Sequence, residues 1–132
     1  MHPLDALMDR AELGGSRYRA ILFGRREPQD RDMDFLVHAQ DPAEFLTYAR
    51  LARQLCEVMP VFRYKKRLTG VTATAGWVDI SVYPARERPV LMKYWYLEEG
   101  GTSKATCLEI LNANRRAWLK TAPEWRAVID SA

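Results

Sequence analysis

The sequence predicts an α/β (α+β) fold, a small mixed sheet of four or five strands with helices packed mainly on one face. Three observations carry this. Residues 17–23 and 32–38 are short runs of β-forming residues joined by a charged turn containing Pro28. Residues 77–83 alternate, with Val78, Ile80 and Val82 on one face and Asp79 and Ser81 on the other. Between these strands, a segment opening at Asp41 and stopping at Pro60 carries the spacing of an amphipathic helix.

Taken in order, residues 3–13 read as a short helix, with Leu4, Leu7, Met8 and Ala11 on one stripe and Gly14-Gly15 as its permissive end. The first strand follows at 17–23, the turn at 25–31, and the second strand at 32–38. His38 closes that strand and reads as a solvated residue, with substrate contact as the alternative. Asp41, Pro42 and Glu44 have the form of a capped helix start, and Phe45, Leu46, Ala49, Ala52, Leu55, Cys56 and Met59 make its buried stripe. Residues 61–68 and 71–74 are rich in β-formers on either side of Gly70.

After Tyr83 comes a polar turn, 84–89. Residues 90–97 then read as a further strand, in which Tyr94, Trp95 and Tyr96 point to both faces and leave one ring to cover a partner or stack on a base. Gly100-Gly101 breaks the chain. Thr102 or Ser103 caps a helix that runs to about Lys120 and buries Cys107, Leu108, Leu111 and Trp118, and residues 123–129 form a last helical turn.

A length of 132 residues suits one domain with one core, 1–83 holding the motifs and 84–132 a C-terminal strand and helices. A hydrophobic share of 48% and a charged share of 28% are ordinary for a globular protein. The net charge of +3 permits a polyanionic partner without requiring one. No apolar run is long enough to span a bilayer and the N-terminus lacks the pattern of a secretory signal, so the expectation is a cytoplasmic protein with no membrane partner. Cys56 and Cys107 are expected as buried free thiols, since their spacing fits neither a zinc site nor a redox pair.

The chemistry-bearing residues are acids. Asp32 and Asp34 stand two apart at the head of an apolar run, which puts both carboxylates on one strand face, and Asp79 sits on the polar face of a later strand. At roughly 5 Å and an effective dielectric near 20, each like-charge pair costs about 3 kcal/mol. A hard divalent cation bound through carboxylate oxygens offsets that, magnesium being the usual choice where phosphates complete its octahedron. The alternative is that the acids only solvate a strand start.

Leu22-Phe23-Gly24, the polar turn, Asp32-Met33-Asp34-Phe35-Leu36-Val37 and then Val78-Asp79-Ile80 together resemble the nucleotidyltransferase superfamily that includes DNA polymerase beta, in particular its small stand-alone members. The resemblance covers the chain to Tyr83. It implies that Gly24 is the turn glycine, and that Asp32, Asp34 and Asp79 hold two magnesium ions, Asp79 also helping to activate the attacking hydroxyl. Arg25 stands where the family has serine and the interval from glycine to the acids is short; Arg25 and Arg26 then contact phosphate through their guanidinium forks. Arg63, Lys65 and Arg67 share one face of a segment, where they neutralise a triphosphate, contact a nucleic-acid backbone or simply protect an edge strand.

The resemblance thus implies a magnesium-dependent transfer of a nucleoside monophosphate from a nucleoside triphosphate to a hydroxyl of RNA, protein or a small molecule. Two alternatives accompany it: an inactive protein of the same fold that binds nucleic acid or a protein partner as a regulator, and a metal-dependent nuclease using the same acids.

Overall fold

A computed structural model describes residues 1–15 and 32–132. The expected strand at 17–23 and the turn at 25–31, with Gly24, Arg25 and Arg26, lie outside the described residues.

Helix α1 (Pro3–Met8) leads into strand β1 (Ala11–Gly14). Strand β2 (Met33–Ala39) is followed by helix α2 (Pro42–Val58), whose start is fixed as its sequence predicts: Asp41 Oδ1 accepts from the Glu44 N–H at 2.8 Å, and Glu44 Oε1 reaches back to the Gln40 N–H at 3.2 Å. Strands β3 (Arg63–Lys66), β4 (Val71–Ala75) and β5 (Val78–Pro84) come next, β4 and β5 joined by a tight turn that holds Gly76 at φ 57°. A short 3₁₀ turn (Ala85–Glu87) then enters helices α3 (Arg88–Glu99), α4 (Lys104–Leu119) and α5 (Pro123–Ser131).

The five strands form one mixed sheet in the order β1-β2-β5-β4-β3, with β2 and β5 parallel and every other pair antiparallel. Alternation along the strands sends Val37 and Ala39, Val71 and Ala73, and Ile80 and Val82 to one face. There they pack with Leu7 of α1, Phe45, Ala49, Ala52 and Leu55 of α2, and Trp125 and Ile129 of α5. The opposite face carries a smaller apolar cluster in which Leu36 meets Leu91 and Trp95 of α3 and Leu111 of α4. The fold class is therefore the α/β class expected, with most of the core on one side of the sheet.

Two elements differ from the sequence reading. Residues 11–14 are a strand, the outermost of the described sheet on that side, and not the end of a helix, because Ala11 to Gly14 pair antiparallel with Val37 to Asp34. The apolar stripe of residues 4, 7, 8 and 11 suits a helix equally well; a pairing partner more than twenty residues away overrides it. Residues 90–97 are helix and not strand. Pro89 stands in the first turn, where it costs no hydrogen bond, and Leu91 and Trp95, four apart, are the residues that face inward. Of the three consecutive aromatics, Trp95 is buried and Tyr96 points to solvent.

Cys107 is buried and Cys56 half-buried, both as free thiols. Among the described residues no helix is long and apolar enough to cross a membrane.

Candidate functional site

The parallel register of β2 and β5 sets Asp34 directly beside Asp79. Their neighbours Phe35, Val37, Ile80 and Val82 turn to the main core, so both carboxylates stand on the opposite face, each half-buried. The same rung continues outward through Gly14 on one side and Thr74 and then Arg63 on the other. One step along, Leu36, Ser81, Thr72 and Lys65 make the next rung, stitched by a 2.9 Å bond between the Thr72 and Ser81 hydroxyls. Arg67 Nε donates to Thr72 Oγ1 at 3.3 Å, which brings a guanidinium over the middle of this face.

A cleft of about 660 Å³ lies above these rungs. Asp34, Asp79, Ser81 and Tyr83 form its floor, and Leu91 and Trp95 of α3 with Leu111, Asn112 and Arg115 of α4 its roof. This is the size of a small-molecule site, and its lining is at least as polar as apolar, with charged groups of both signs.

The cleft wall is held by a carboxylate that the sequence reading passed over as turn. Glu87, 1% exposed, accepts from Thr69 Oγ1 at 2.6 Å, from Arg115 Nε at 2.9 Å and from the Trp118 indole at 3.4 Å. Arg115 in turn lies over the Tyr83 ring, 4.9 Å from its centroid. Burial pushes the Tyr83 hydroxyl above its ordinary range, the Arg115 charge opposing the shift. Only Pro84 and Pro89, which bracket the segment, hint at a fixed loop.

His38 is not solvated as expected: its side chain is 7% exposed. Nδ1 lies 3.3 Å from Glu12 Oε1, and Glu12 Oε2 accepts from Arg88 at 2.8 Å, so β1, β2 and α3 are tied together at one point. Nε2 is buried without a hydrogen-bond partner among the described residues. Burial lowers the histidine pKa, against the pull of the Glu12 hydrogen bond and charge.

Of the three predicted acids, the structure brings Asp34 and Asp79 together. Asp32 stands exposed one residue before β2, outside the cleft lining, and among the described residues no group of three or more His, Cys, Asp or Glu side chains is gathered around one point. Lys65 lies exposed on the edge strand, on the same face as the acids and one rung from them. Two in-register carboxylates fit a hard divalent ion that keeps water and phosphate oxygens in its remaining positions.

Sequence reading also missed Gly15. It has φ +59°, and a Cβ at that position would run into the Asp34 carboxylate, so the chain passes the acid at a distance only glycine allows. The signal was present in Leu13-Gly14-Gly15-Ser16, a glycine-serine step after what proves to be a strand. Reading 3–13 as a helix hid it.

Compared with models of known protein families, with curated proteins and with solved structures, the chain matches none.

Proposed function

We propose that this protein is a magnesium-dependent nucleotidyltransferase that moves a nucleoside monophosphate from a nucleoside triphosphate to a hydroxyl acceptor. The observation that carries the proposal is the pairing of Asp34 with Asp79 on adjacent parallel strands at the floor of a cleft. Two carboxylates so placed present oxygen donors side by side, the donor type that a hard divalent cation takes.

Asp34 and Asp79 would hold the metal in this reading, with Asp32, exposed one residue before β2, as the third acid that the resemblance implies. Magnesium supplies charge neutralisation at the transferring phosphoryl group and favours the ionised acceptor. Asp79 takes the proton of the acceptor hydroxyl; the hydroxyl oxygen forms a bond to the α-phosphorus while the bond from that phosphorus to the bridging oxygen breaks, and pyrophosphate leaves. Gly15, pressed against Asp34, takes the part that the resemblance gave to Gly24, since a backbone without a side chain lets phosphate approach its N–H groups. The longer interval from Gly15 to the acids removes the shortness counted from Gly24. Arg25, Arg26 and Lys65 remain phosphate contacts in the proposal, and the free thiols suit a cytoplasmic setting.

The test is incubation with magnesium and each labelled nucleoside triphosphate, read as pyrophosphate release or label transfer. Release or transfer that disappears in Asp79→Asn supports the assignment. No binding of any triphosphate at millimolar concentration would sink it and leave the alternative of a non-catalytic regulator.

A further inference from the structure

The side chains of β3 divide cleanly by face. Tyr64 packs on the main core and Lys66 Nζ donates to the Asp130 carbonyl of α5 at 2.8 Å, so Arg63, Lys65 and Arg67 share the other face, that of Asp34 and Asp79. Register fixes their positions. Arg63 lies across from Thr74 and Thr74 from Asp79; Lys65 lies across from Thr72 and Thr72 from Ser81. Arg63 and Lys65 stand about 6.6 Å apart along this outer strand, roughly 10 Å, two strand spacings, from the strand of Asp79, and Arg67 follows just past the strand end with its guanidinium turned in to Thr72.

Among the described residues, none of the three is ion-paired. Charge of either sign deters edge pairing, and on either face. Here one sign occupies one face, while Lys66 on the opposite face is spent on an internal bond. A second observation sits at the Arg63 end of the row. Trp77, 53% exposed, occupies the β4–β5 turn two residues before Asp79.

We propose that this edge is a track for single-stranded nucleic acid, the backbone running along Arg63, Lys65 and Arg67 and a base stacking on Trp77. Cations in line beside an exposed aromatic are the combination that binds single strands without reading their sequence. The spacing of the row is close to the phosphate-to-phosphate step of an extended strand. A single row serves one backbone; a duplex presents two across a groove. As an acceptor assignment the inference rests on the proposed transferase reading: the strand's terminal hydroxyl reaches the acids from the track. Binding to the track needs neither metal nor triphosphate.

The experiment is fluorescence anisotropy of a short labelled single-stranded RNA against the whole protein, with no magnesium or nucleotide, across a range of salt. Three phosphate contacts give a slope of log K on log salt of about −2. The variant carrying Arg63→Gln, Lys65→Gln and Arg67→Gln together, all three exposed residues, loses at least tenfold in affinity and most of that slope. Trp77→Ala weakens binding several-fold and leaves the slope unchanged. Equal binding of the matching duplex, equal binding of polyglutamate, or full affinity in the triple variant overturns the proposal. A protein that fails to bind triphosphate yet binds RNA in this manner keeps the track and loses the transferase reading; one that transfers label but binds no RNA does the reverse.

Discussion

Asp79 stands beside a second carboxylate across the parallel ladder and is only partly buried. On the proposed reading Asp79 serves the chemistry, and a charge so placed stabilises nothing by itself. Asp79→Asn is therefore expected to retain wild-type stability or gain up to about 1 kcal/mol in urea unfolding while any transfer activity is lost. A marked loss of stability would show the acid to be structural. Glu87 makes the opposite case. Its carboxylate is fully enclosed, and Arg115 supplies the one opposing charge among its three donors. Arg115→Met strands that carboxylate and is expected to cost about 3–5 kcal/mol, read from the urea midpoint, with Glu87→Gln in the same chain recovering part of the loss.

Helix α3 roofs the cleft and is tied to the sheet through Arg88, Glu12 and His38. Burial holds the His38 pKa below its ordinary 6.5, so the unfolded chain binds the proton more readily than the folded one. Stability then rises with pH across the interval between the two values, is fully present above 6.5, and is lost as pH falls through the lowered folded value. Arg88 opposes protonation of the ring, while Glu12 and Glu87 favour it. In His38→Gln the slope of unfolding free energy against pH in that interval should flatten; an unchanged slope would assign the acid sensitivity to other groups. At the head of α2 the cap carries its own cost. Asp41→Ala removes the acceptor of the Glu44 N–H and should lower stability by about 1 kcal/mol in the same assay. This cap was legible because Asp-Pro-x-Glu is a local device, whose atoms meet whatever the rest of the chain does. The strand nature of Ala11–Gly14 was not, since it depends on β2 lying alongside.

Across the whole molecule, the C-terminal helices close the main core through an aromatic set. Phe45 of α2 stands edge-on to Trp125 of α5 at 6.1 Å, and Trp125 edge-on to Trp118 of α4 at 6.5 Å. Trp125→Ala should cost about 3–5 kcal/mol and leave a cooperative transition at lower urea, because it removes a large buried ring from the main core and leaves a cavity. The sequence by itself determined the fold class, the capped helix after β2, the alternation of β5 and two of the residues that meet at the cleft floor, Asp34 and Asp79. All of these follow from spacing along one element, which backbone geometry converts directly into a face. Only the tertiary structure decided that Asp34 and Asp79 share a rung, that Asp32 lies outside the cleft lining, that Gly15 presses on Asp34, and that Glu87 is buried beneath Arg115. Each of these is decided between segments distant in sequence, by strand register and helix packing, which spacing along one element does not fix.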